Sequence, residues 1–354
     1  MNAISRDTTV GSTPAAAGSP PVRRRRPALC LCVAAALLGS AAQPLMAASV
    51  PAATAPYARL LQSAGAGSPV LERNLPTFLR GFYTTANAGP LETMSRQVRD
   101  VVGELRSTVE GRGTARFTVR STDQGSTTLA CPRGGSVSVT NDTSGRFKAQ
   151  TQATFRNCKV DGRRLEGYVH QFRPDARGER LIFGSSQETN FQPTFSYTDA
   201  TGLVTRYDGS RNHFETDDRS GASLIWNGNW SLGSGSKRLD VTDMVLVTGR
   251  ADGAFTYKVD LNMKGDLTNG RTVAVVNNAP FSGASGSSFS DGNMQLLVMD
   301  ANRWPTSHTG FGPAADGSDR FDIDTQFYRE PSAVDYTVQV PQRFGGGLIR
   351  LGDR

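Results

Sequence analysis

Cysteine, histidine and long apolar runs are all scarce in this chain of 354 residues, which holds four Cys and three His. Cys30 and Cys32 fall in an N-terminal apolar run, which leaves Cys131 and Cys158 for the folded part. Two thiolates are too few for a structural zinc site without imidazoles, and His170, His213 and His308 show no ligand spacing relative to them. The apolar run itself, Pro27 to Leu38, has about a dozen residues, short of the ~20 that a membrane-spanning helix needs. No stripe of Lys and Arg with interleaved aromatics occurs, so nucleic acid is not expected as a partner.

What the N-terminus does have is a compact positive block, Arg23 to Arg26, ahead of that run, and small residues around Leu45-Met46-Ala47-Ala48-Ser49 behind it. This three-part layout predicts a secretory signal peptide over residues 1–48. Leu precedes each of Cys30 and Cys32, where a lipoprotein signal needs a small residue, so neither is expected to carry lipid. Pro27-Ala28-Leu29 after the Arg25-Arg26 pair fits the general export route better than a twin-arginine one. Removing 1–48 takes away five arginines and one aspartate, leaving 34 basic and 31 acidic residues, a net charge of +3 in place of +7. The chain therefore reads as exported, to the periplasm, the cell envelope or the medium. In such an oxidising compartment two cysteines suggest one disulfide.

Residues 49–89 are rich in Ala, Pro, Ser and Gly and read as a linker, with short helices at 57–61 and 75–83. Leu91, Met94, Val98, Val101, Val102 and Leu105 then recur at three- and four-residue spacing, with Pro90 and Glu92 in the first turn. This pattern predicts an amphipathic helix within 90–110 that lies against a sheet.

After Gly113 the period changes to two. Ala149, Thr151, Ala153 and Phe155 fall on one face, as do Leu224, Trp226, Trp230 and Leu232, and Phe255, Tyr257, Val259, Leu261 and Met263. Alternation gives each strand one dry and one wet face, which favours antiparallel pairing. Asp161-Gly162, Asp208-Gly209, Asp252-Gly253, Asn269-Gly270, Asp291-Gly292 and Asp316-Gly317 read as turns, because Asx-Gly supplies the positive φ that tight hairpins need. No helix-length pattern separates the strands, which argues against parallel crossovers. The expected fold is mainly β: an antiparallel meander over 113–342, as one large curved sheet or a two-sheet sandwich, with a flexible tail at 343–354. The chain ends without a terminal aromatic strand, which disfavours an outer-membrane barrel.

A hairpin centred on Ser144 sets Val139 opposite Ala149 and Val137 opposite Thr151, and leaves Cys131 one residue short of Cys158. A β-bulge at 132–135 or at Arg156-Asn157 resolves the mismatch, so a cross-strand Cys131–Cys158 disulfide beside a bulge is predicted.

Four constellations could carry chemistry. Asp316, Asp319, Asp322 and Asp324 are a candidate calcium cluster, but their spacing lacks the order of a calcium loop and fits a turn and the wet face of a strand. Trp226 and Trp230, with Asn227 and Asn229, could form a sugar-binding platform, yet they share a face with Leu224 and Leu232, as core residues do. The serines of 282–288 do not stand on a strand-to-helix turn as a nucleophile elbow requires. Glu166 with Glu188 or Asp199 is a conceivable acid–base pair whose separation the sequence leaves open. His170 and His213 lie in strand-like segments.

Cys131-Pro-Arg-Gly-Gly-Ser136, Gly145-x-Phe147, Phe155-Arg-Asn-Cys158 and Leu165-Glu-Gly167 together resemble a pattern in exported β-rich proteins of proteobacteria. The resemblance covers about 40 residues. It implies a disulfide-tied hairpin and no particular activity. The expectation is a non-catalytic exported protein with a binding or structural role, no catalytic residues and no cofactor. Its partner is unknown: an apolar ligand, a glycan or an envelope component. The alternatives are a secreted hydrolase with a loop-built site and a carbohydrate-binding module.

Overall fold

A computed structural model describes residues 88–328, apart from short breaks at 113–115, 143–148, 174–176, 185–191, 216–220, 269, 285–288, 301 and 319, together with strand backbone between 336 and 349. The expected signal peptide at 1–48 and the linker and short helices at 49–87 lie outside the described residues.

Helix α1 (Gly89–Val109) starts one residue before the expected range, with Pro90 in its first turn. All six residues of the apolar stripe are buried, none more than 7% exposed. Glu92 in the first turn and Arg106 in the last have the signs that the helix dipole favours.

The strands follow in a meander: β1 (Thr118–Asp123), β2 (Ser126–Ala130), β3 (Ser136–Asp142), β4 (Ala149–Val160), β5 (Arg163–Arg173), β6 (Gly178–Phe183), β7 (Phe195–Thr198) and β8 (Val204–Glu215). The series continues with β9 (Ala222–Ser234), β10 (Lys237–Ala251), β11 (Ala254–Gly265), β12 (Thr272–Ala284), β13 (Asp291–Met299), β14 (Pro305–Pro313), β15 (Arg320–Phe327) and β16 (Tyr336–Pro341). All belong to one antiparallel sheet in chain order, with β1 and β16 at its two ends. One slot is shared: β6 covers the Val169–Phe172 part of β5, and β7 covers Arg164–Glu166. The two lie end to end between β5 and β8, β6 ending at Phe183 and β7 beginning at Phe195.

Two of the Asx-Gly signals are tight turns with both residues at positive φ: Asp161-Gly162 (50° and 75°) and Asp252-Gly253 (49° and 76°). Asp316-Gly317 lies in the connection from β14 to β15. Asp208-Gly209 is instead inside β8, and Asp291-Gly292 opens β13. Gly209 is needed for closeness rather than for a turn. A Cβ there would come within 2.1 Å of the Asn227 carbonyl oxygen and 2.7 Å of the Tyr207 hydroxyl.

The β3–β4 hairpin is displaced from its predicted register. Val139 faces Ala153 and Val137 faces Phe155. The shift is an even number of residues, so every side chain keeps its expected face. Cys131 belongs to the turn joining β2 to β3, where its N–H donates to the Gly135 carbonyl at 3.2 Å. The disulfide to Cys158 has formed, with a Cα separation of 5.4 Å. A bulge at Arg156-Asn157 accompanies it: the β4–β5 register shifts between Phe155 and Cys158, and Asn157 has φ 49°.

One contiguous apolar cluster runs from α1 through β2 to β15. The helix packs on β3, β4 and β8. Farther along, Phe281 on β12 and Phe321 on β15 are three strands apart, about 14 Å on a flat sheet. Their ring centroids are nevertheless 5.4 Å apart. The sheet therefore curves here with its dry face inward.

Candidate functional site

Along the margin of its apolar stripe α1 carries Glu92, Arg99 and Arg106, seven residues apart, so they fall on one side of the helix. Opposite them the dry face of the sheet departs from its apolar pattern. Thr151 on β4, Gln171 on β5, Glu179 on β6 and Arg211 on β8 are all buried. Burying such groups is costly unless they find partners, and they find them in one another and in the helix.

Arg211 joins the two layers. Its Nε donates to Glu92 Oε2 at 3.1 Å, and its Nη2 to Glu92 Oε1 at 3.3 Å. Its Nη1 lies 3.6 Å from Glu179 Oε2, and its guanidinium sits 5.7 Å from the Trp226 ring centre. Glu179 is shared by two further arginines, Arg99 at 3.3 Å and Arg173 at 3.8 Å. Gln171 passes the network on: its Nε2 donates to Glu179 Oε1 at 2.7 Å, and its Oε1 accepts from Arg106 Nη2 at 3.2 Å. Arg106 also donates through Nε to Thr151 Oγ1 at 2.8 Å.

Above this network is a cleft of about 550 Å³ between α1 and β5, lined by Arg99, Arg106, Ser107, Gln171, Arg173 and Asp100 among others. Its electrostatics are lopsided. Among the described residues Arg106 hydrogen-bonds only neutral oxygens, and burial, followed by the positive charge of Arg173, pushes its guanidinium below the ordinary value. The Ser107 hydroxyl donates to the Gly103 carbonyl at 3.1 Å, as a helical serine does. The arrangement is suited to holding negative charge.

The residues singled out from sequence fare differently. Trp226 and Trp230 are 1% and 3% exposed, so they form no sugar-binding platform. Trp226 packs against Tyr207 with centroids 5.8 Å apart, and Trp230 Nε1 donates to Met244 Sδ at 3.3 Å. Their alternation with Asn227 and Asn229 was a core signal. Asp322 accepts from the Ala315 N–H at 3.0 Å, and Asp316 from the Ser318 N–H at 2.9 Å. Hydrogen bonds from Ser318 hold the Asp316 carboxyl below the usual range. Asp324 is exposed on β15, and Asp319 lies outside the described residues. Among the described residues no three His, Cys, Asp or Glu side chains come together as a metal site.

Glu166 pairs with Arg164 at 3.0 Å, while Asp199 Oδ1 accepts from Thr201 and from the Leu203 N–H at 3.0 Å. Glu188 and Ser285, Ser287 and Ser288 lie outside the described residues. His170 contacts Gln150 at 3.3 Å, and His213 faces Glu179 across β8 and β6.

The arginine network escaped the sequence reading. The available signal was Gln171, Glu179 and Arg211 standing at dry-face positions of otherwise alternating strands, with charges at seven-residue spacing on the helix. Comparison with known protein families, curated proteins and solved structures found no match.

Proposed function

We propose that this chain is a non-catalytic binding protein of an exported, oxidising compartment, with its ligand site in the cleft between α1 and β5. The observation that carries this reading is the charge of the cleft. Among the described residues it is lined by Arg99, Arg106, Arg112 and Arg173 against Asp100 and Glu104. An ion network that served stability alone gains nothing from surplus charge of one sign. Ligand sites keep such surplus because the ligand completes it.

Export rests on the charged, apolar and small-residue sequence of the N-terminus, and the Cys131–Cys158 bridge suits the same compartment. Among the described residues no helix is long and apolar enough to cross a membrane. The buried indoles remove the support for the carbohydrate-module reading.

The test is a thermal-shift titration of the mature, oxidised protein. Small anions are compared with neutral sugars and apolar ligands at constant ionic strength. The reading expects a saturable rise in Tm with anions alone. A rise only with sugars or apolar ligands would remove the cleft from consideration. Turnover of any bound compound would overturn the non-catalytic assignment.

A further inference from the structure

We infer that the α1–β5 cleft binds a phosphoryl dianion, with Arg106 and Arg173 as its two principal contacts and Arg99 on a third side. The inference rests on the reading of this cleft as the ligand site and names the chemical class of its occupant.

The charge count comes first. Among the described residues the network sets Arg99, Arg106, Arg173 and Arg211 against Glu92 and Glu179, an excess of two positive charges, and of these Arg99, Arg106 and Arg173 line the cleft. Among the described residues the carboxylates that line the cleft are Asp100 and Glu104. Glu104 is taken by Arg116, whose Nε and Nη2 donate to it at 2.8 and 2.7 Å. Arg112, also on the rim, is paired with Glu110. Counting Asp100 still leaves one positive charge over.

The donors come next. A guanidinium has five N–H groups in a planar fork. Arg106 commits Nε and Nη2 to Thr151 and Gln171, and among the described residues its Nη1 makes no hydrogen bond. Arg173 is half exposed and reaches Glu179 only at 3.8 Å, so its fork is available to a ligand. Gln171 is 2% exposed, and by accepting from Arg106 it fixes that fork at the cleft wall. One oriented fork beside a second guanidinium, with surplus charge, suits a tetrahedral group bearing several equivalent oxygens. The volume, about 550 Å³, leaves room for an organic group attached to it.

The cost of the arrangement points the same way. A half-buried arginine beside a second arginine, with only neutral hydrogen-bond partners among the described residues, stabilises the empty protein little. A bound dianion supplies the missing counter-charge.

The decisive experiment is calorimetric titration of the mature, disulfide-bonded protein in low-chloride buffer. The probes are inorganic phosphate, phenyl phosphate, and phosphatidylcholine vesicles with and without phosphatidic acid, with the dicarboxylate succinate for comparison. We expect saturable binding with one site per chain. Arg173→Gln and Arg106→Gln should each weaken it about tenfold or more, the weight of one charge-assisted hydrogen bond. Arg106→Lys keeps the charge without the fork and should fall between. Arg250→Gln, on exposed β10, should leave binding unchanged. Arg173 is half exposed, so its variant folds even if Arg106→Gln does not.

Binding of phenyl phosphate in solution identifies a soluble ester as the source, and binding confined to the phosphatidic acid vesicles identifies a lipid headgroup. Absence of saturable binding to every probe overturns the inference, as does equal affinity in the wild type and both Gln variants. Release of phenol from the bound ester would leave this site standing and refute the non-catalytic reading. Saturable binding of a dicarboxylate with none of any phosphate would do the reverse.

Discussion

At Glu179 three guanidiniums converge on one buried carboxylate. Replacing it by Gln leaves Arg211, whose side chain is 8% exposed, with Glu92 as its one charged partner among the described residues. We expect Glu179→Gln to destabilise the protein by about 3 kcal/mol, the usual loss when one member of a buried ion pair is removed. The exposed pair Arg164–Glu166 is the control, and Arg164→Ala should change stability by less than about 1 kcal/mol. Urea denaturation of both variants measures the contrast. Gly209 makes a second expectation at this scale. A methyl group there meets the Asn227 carbonyl oxygen in the middle of the sheet, so Gly209→Ala should cost about 1–3 kcal/mol in the same assay. This residue also marks where local reading failed. Asp-Gly is a turn signal only if nothing else needs the glycine, and here the Tyr207 ring crosses it to reach the carbonyls of Ser210 and Asn227.

Among the elements, the disulfide binds the β2–β3 turn to β4 across 27 residues of chain. Removing it through Cys131→Ser with Cys158→Ser should cost about 3–4 kcal/mol if loop entropy governs. Denaturant midpoints of the oxidised wild type and the double variant give the answer. Equal midpoints would mean that the turn and the Asn157 bulge hold their geometry without the bond. Much was legible at this scale. Helix α1 and its six buried apolar residues followed from period 3.6, and the dry faces of β4, β9 and β11 from period 2. The bulge beside Cys158 followed from a parity conflict between two cysteines and one hairpin. The hairpin register itself did not, because parity tests a face and every even displacement passes that test. The sharing of one slot by β6 and β7 was equally hidden, since alternation within a strand carries no signal of which strand it pairs with.

For the whole molecule, tyrosine burial sets a limit on alkaline stability. Burial pushes the Tyr197 hydroxyl up to about 12 from its ordinary 10.0. Burial also raises Tyr168 and, well above the ordinary value, Tyr207. Each of these stays neutral in the fold at a pH where the unfolded chain has already ionised. Their contribution is therefore intact below pH 10 and is lost as pH climbs towards 12. Circular dichroism recorded alongside tyrosinate absorbance should show unfolding and ionisation of these tyrosines as one cooperative step. Tyr197→Phe should move that step to higher pH.

The sequence by itself determined the class of fold, the helix, the dry faces of β4, β9 and β11 and the pairing of Cys131 with Cys158. All of these follow from short-range periodicity and from the chemistry of neighbouring residues. Only the tertiary structure decided which charges meet. Glu92 and Arg211 are 119 positions apart, and Arg99 and Glu179 are 80 apart. Nothing in local pattern ties such residues together. They come into contact because the curved sheet brings β4, β5, β6 and β8 under one side of one helix, and it is that crossing which gathers more arginines than carboxylates around a cleft.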